Sequence, residues 1–88
     1  MRSNLTSPPT DAVPVPLTAL GPGQTGVVVD VRGGHGLRRR LCAMGLVPGA
    51  WLTVASGAGG GGPIIIEILG TRLALGRGMA SKVLVQAS

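Results

Sequence analysis

Glycine cuts this sequence into lengths that suit strands and tight turns and leave room for one helix. Sixteen of the 88 residues are glycine and seven are proline. Between them lie short aliphatic runs: Gly26–Arg32, Ala50–Ala55, Ile64–Leu69, Arg72–Leu75 and Val83–Val85. β-Branched side chains pack well on a pleated surface, so these runs are expected to be strands. The chain has one tryptophan and neither phenylalanine nor tyrosine, so the core must be Val, Leu and Ile. A domain of this size buries only about 60–65% of its unfolded surface, which calls for one economical core.

The exception runs from His35 to Gly45. Leu37, Leu41 and Met44 stand at i, i+4 and i+7, a helical stripe on a helix of only about two turns. Such a helix is stable only when docked. Its end is well specified. Gly45 is placed to take the left-handed position after the cap, and Leu46 then packs back on Leu41 in a Schellman arrangement. Val47 precedes proline and is pushed extended, and Pro48-Gly49 reads as a type II turn.

The remaining segments order themselves around these elements. Met1–Pro14 is polar, holds three prolines and shows no apolar period, so residues 1–14 are expected to be a disordered or loosely attached tail. The folded domain then spans 15–88. Leu17 and Leu20 fit one face of a single helical turn, and Gly21-Pro22-Gly23 turns the chain. In the first strand, alternation sets Val27, Val29 and Val31 on one face. Ser56–Gly62, nearly all glycine, is expected to be a flexible loop. Ile64, Ile66 and Ile68 point inward, the chain turns at Gly70-Thr71, and Leu73 and Leu75 complete a tight hairpin. Gly76–Lys82 reads as one irregular or 3₁₀ turn. Five short strands and one helix inserted after the first strand give a mainly β fold, a small barrel whose closure hides its edges.

Several function classes fall away. Three acids, one histidine and one cysteine supply no nucleophile, base and orienting group, so no catalytic residues are assigned. Cys42 alone excludes an internal disulfide framework and a four-cysteine zinc site. His35 and Cys42 would share a helix face but stand about 10 Å apart along its axis, too far for two ligands at about 2.0–2.3 Å from one ion. No metal site and no cofactor is therefore expected; a metal bridging two molecules through His35 stays open. Gly59–Pro63 lacks the Lys-Ser/Thr and the helix of a phosphate loop. Gly33-Gly34-His35-Gly36 does precede a helix, but a plain turn suffices for it. Nucleic acid is disfavoured, because single-strand readers need aromatic platforms. No apolar run approaches the ~20 residues that span a bilayer. The N-terminus lacks the apolar segment of a secretory signal. The expected location is the cytoplasm.

Two surface features remain as candidates for partner binding. Arg38, Arg39 and Arg40 form a basic run on the helix of a chain with formal net charge +5. They meet either an acidic partner face or lipid head groups, or they are a solvated helix face whose stems cover the sheet. Ile65 and Leu69, with Trp51 and Leu46, either form an exposed apolar patch or are covered by the N-terminal segment.

In its order of signals the chain resembles the ferrous iron transport protein A family, from Val15 to Val85. The matching pieces are Pro16-Leu17 through Leu20, Pro22-Gly23 and Gly26–Val29, then Leu37–Leu41 and Met44–Gly49. Pro63-Ile64, Gly70, Arg72–Leu75, Ala80 and Val83–Val85 follow. The most telling stretch is Arg39-Arg40-Leu41 to Gly49. The sequence departs from the family pattern in the glycine loop Gly57–Gly62, at Thr71 and Gly76–Met79, and in Ile65 and Leu69, where relatives often carry polar residues. The resemblance implies an SH3-like barrel and a non-enzymatic cytosolic accessory that docks on the cytoplasmic part of the membrane ferrous iron permease. The alternative is an SH3-like regulatory or peptide-binding module related to the C-terminal domain of metal-dependent repressors. A homodimer is compatible with either.

Overall fold

The computed structural model describes residues 13–57 and 62–87. The expected tail therefore lies outside the described residues except for Val13 and Pro14, as does most of the glycine loop. The elements run β1 (Val15–Pro16), a 3₁₀ turn (Leu17–Ala19), β2 (Thr25–Val31), α1 (His35–Ala43), β3 (Trp51–Ser56), β4 (Ile64–Ile68), β5 (Thr71–Leu75), α2 (Arg77–Ala80) and β6 (Val83–Ala87). All five expected strands are present. They form one antiparallel sheet in the order β1-β6-β2-β3-β4-β5.

Three expectations about the architecture change. The sheet has six strands, because Val15 and Pro16 pair with Val85 and Leu84 before the chain enters its first helical turn. It also does not close: β1 and β5 each have one strand neighbour, so the fold is an open six-stranded sheet of the SH3-like class. The β1 edge is only two residues long and contains a proline, which cannot donate to a further ladder. The segment 76–82 also differs, forming the short α-helical turn α2.

Among the described residues the core collects fifteen buried apolar side chains from almost every element. Ile64, Ile66 and Ile68 are inward as expected, with Leu75; Leu73 is partly buried against them. Leu17 and Leu20 both enter the core. Strand β2 breaks simple alternation: Val28 and Val31, three residues apart, are both buried. A bulge explains this. Val28 pairs with Val85 and Asp30 with Leu84, so Val29 is the extra residue and the strand changes face at that point.

Helix α1 docks through Leu41, which is fully buried, with Leu37 and Met44 partly buried beside it. Its end follows the expected cap. The Leu46 N–H donates to Leu41 O at 2.9 Å, and the Gly45 N–H to Cys42 O at 2.9 Å. These are the two hydrogen bonds of a Schellman motif. Gly45 has φ +94°, the left-handed conformation that the motif requires. The turn that follows closes with the Ala50 N–H on Val47 O at 3.0 Å, and Gly49 also has positive φ, as a type II turn needs.

The β4–β5 hairpin turns one residue earlier than expected. Ile68 pairs with Thr71, so Leu69 and Gly70 are the two central residues. Both have positive φ, 53° and 75°, the signature of a type I′ turn. Leu69 therefore stands at a hairpin tip rather than on a strand face.

Candidate functional site

The site is best built from α1. His35, Arg38, Arg39 and Cys42 lie at i, i+3, i+4 and i+7, and all four line one wall of a cleft of about 270 Å³. This second stripe is readable in the sequence, beside the apolar one, and marks the face of the helix turned to the cleft. The opposite wall is built by Asp30 and Val31 at the end of β2 and by Val47-Pro48, with Leu46 between them. The β2 bulge brings Asp30 to this wall, and the helix cap and type II turn bring Val47 and Pro48 to it.

The candidate residues are spread over the molecule. Arg38 and Arg39 line the cleft, whereas Arg40, also exposed, does not. Leu46 is 1% exposed and belongs to the core, which removes it from any exposed apolar patch. What covers it is the packing of the helix cap, since Leu46 lies against Leu41 within the core cluster. Trp51 is 59% exposed and pairs with Val27, while Ile65 pairs with Ser56 at the other end of β3. At about 3.3 Å per residue those two ends are roughly 16 Å apart, so the two side chains do not touch. Leu69 is 83% exposed at the hairpin tip, beside the helix cap. The apolar candidates thus occupy separate places, and the arginines are the ones gathered around a concavity.

Among the described residues none of the three α1 arginines forms an ion pair. The one ion pair among the described residues joins Arg72 Nε to Glu67 Oε2 at 2.8 Å, on the outer face of the hairpin. Asp30 accepts the Val31 N–H on Oδ1 at 2.8 Å and forms no ion pair with the arginines across the cleft. Arg77, in the segment expected to be an irregular turn, is structural: its Nη1 donates to Gly57 O at 3.0 Å and ties α2 to the start of the glycine loop. Among the described residues no three His, Cys, Asp or Glu side chains are grouped so as to hold a metal ion. No helix among the described residues is long and apolar enough to cross a membrane.

An open six-stranded sheet with one docked helix and a capped return to the sheet defines a small domain of the SH3-like class. Residues 15–87 match the FeoA domain model, and the chain belongs to that family. It is 35% identical over 71 residues to a protein of Methanocaldococcus jannaschii that carries the provisional name Fe(2+) transport protein A, covering 81% of this chain and 84% of that one. Among solved structures it matches the crystal structure of an iron uptake regulatory protein, FeoA, at TM-score 0.78 and 45% identity, over 86% of this chain and 99% of that one. It matches the zinc-complexed FeoA of Stenotrophomonas maltophilia, described as an SH3 domain protein, at TM-score 0.75 and 30% identity, over 82% and 89% of the two chains. A manganese-dependent transcriptional repressor, 22% identical at TM-score 0.78, shares the fold over 43% of its own length.

Proposed function

We propose that this protein is a non-enzymatic accessory of ferrous iron uptake that works in the cytoplasm by docking on the cytoplasmic part of the membrane ferrous iron permease. Membership of the FeoA domain family and the names of its relatives support the transport context. The observation that carries the docking reading is the set of three exposed arginines on α1 with no acidic partner among the described residues. Charges held this way steer encounter and select partners more than they stabilise a fold. The test is co-purification of the tagged protein with the permease from a membrane extract. Retention that is lost in Arg39→Glu supports docking through this face. Absence of retention at low salt overturns it.

The fold likeness to a repressor keeps a second reading in view, that of a regulatory or peptide-binding SH3-like module. Among the described residues the helices are α1, of nine residues, and α2, of four, and neither pairs with a second helix to read DNA. Adjacency of the gene to that of a large permease separates the two readings.

A further inference from the structure

We infer that the cleft between α1 and Val47-Pro48 receives an acidic segment of the partner protein, whose carboxylates pair with Arg38 and Arg39. The inference deepens the docking reading above and rests on it, since it names the chemistry of the surface to be met.

Arg38 and Arg39 project into one concavity from adjacent helical positions and find no carboxylate within ion-pair distance. A guanidinium offers its donors in a planar fork that fits a carboxylate. The apolar part of the opposite wall, Val47 and Pro48, gives such a segment carbon to lie against. The exposed Leu69 stands near the same end of α1, packed over Gly45, two residues before Val47. Its φ of 53° is unusual for a leucine and holds an apolar side chain in water at a tip where Asn or Gly would be relaxed. Strain of this kind concentrates at functional surfaces.

The shape and the backbone-accepting Asp30 favour a protein segment over a lipid surface. A bilayer is broad and cannot enter a cleft of about 270 Å³. Asp30 lies in the same lining and repels peptide carboxylates and lipid phosphates alike, so it does not separate the two; its carboxylate can accept a backbone N–H, which a peptide offers. His35 and Cys42 complete the helix wall.

The probe is a short labelled peptide rich in glutamate with interspersed leucine, compared by fluorescence anisotropy with its counterpart carrying glutamine for every glutamate. The glutamate peptide is expected to bind about tenfold more tightly, a gain that fades as salt shortens the screening length. Arg38→Glu and Arg39→Glu are each expected to remove most of that gain. Lys82→Glu makes the same change in net charge at an exposed residue outside the cleft and is expected to leave it. Circular dichroism confirms that each variant is folded. Equal binding of both peptides, or equal loss in Lys82→Glu, overturns the cleft assignment. So does arginine-dependent binding to phosphatidylglycerol vesicles without binding to the glutamate peptide, which would give the surface to lipid. Permease capture that persists when the peptide fails leaves the docking reading intact and overturns this one alone.

Discussion

Leu69 lies over Gly45: its Cδ1 is 3.1 Å from the point where a Cβ on Gly45 would stand. Each residue has positive φ and each ends an element, Gly45 the helix α1 and Leu69 the strand β4. The contact joins the helix cap to the hairpin tip and sets the end of α1 against the sheet. Gly45→Ala must adopt a left-handed conformation and also displace Leu69. The side chain of Leu69 is flexible and can yield, so the backbone cost dominates. Urea denaturation is expected to show a loss of about 1–2 kcal/mol, and a larger loss for Gly45→Val.

Leu69→Asn separates stability from binding. Asn tolerates the left-handed region, and an 83% exposed leucine gives up little burial on replacement. The variant is expected to be more stable by about 0.5–1 kcal/mol, measured by denaturant midpoint at unchanged slope. If the hairpin tip contributes to docking, the same variant binds the permease more weakly.

Leu46→Ala is expected to cost about 2–4 kcal/mol, because it empties a fully enclosed position and removes the apolar half of the Schellman cap. Chemical denaturation checks it. A loss below about 1 kcal/mol would mean that Leu46 is not the core residue its burial indicates.

At the start of the glycine loop, Gly57 has φ +95° and a Cβ there would collide with the backbone carbonyl of Pro63. Backbone cannot move aside as a side-chain end can. Gly57→Ala is therefore expected to cost about 2–4 kcal/mol, more than Gly45→Ala. Arg77→Ala removes the donor to Gly57 O and is expected to cost about 1–2 kcal/mol. Thermal melts compare the two.

Glu67→Gln tests an interaction that looks strong and should not be. The Arg72–Glu67 pair is short, but the two side chains are 70% and 47% exposed. Loss of such a pair is expected to change stability by less than about 1 kcal/mol. The effect should shrink further at high salt, read from denaturation at two ionic strengths.

The local grammar of the chain was legible because it depends on neighbours in sequence. Gly45 and Leu46 specify the cap through hydrogen bonds that span six residues. Ile64, Ile66 and Ile68 specify a half-buried strand through a period of two. The order of these signals sufficed to reach the family. Less legible were features set by pairing partners. The β2 bulge at Val29 exists because β6 offers only one residue opposite two, and nothing within Gly26–Arg32 announces it. β1 is a strand only because Val85 and Leu84 are there to receive it. The turn stands at Leu69-Gly70, one residue earlier than expected, although leucine is a poor occupant of positive φ, because the register of β4 against β5 overrides that preference.

The candidate site divides in the same way. The sequence by itself determined one helix carrying three arginines, a scarcity of acids to neutralise them, and the cap that returns the chain to the sheet. Only the tertiary structure decided that Arg38 and Arg39 face a cleft, that Leu46 is buried beneath it, and that Leu69 stands on Gly45. The reason is physical. Capping and periodicity are fixed by bonds between near neighbours, whereas concavity and burial depend on which distant strands close over a side chain.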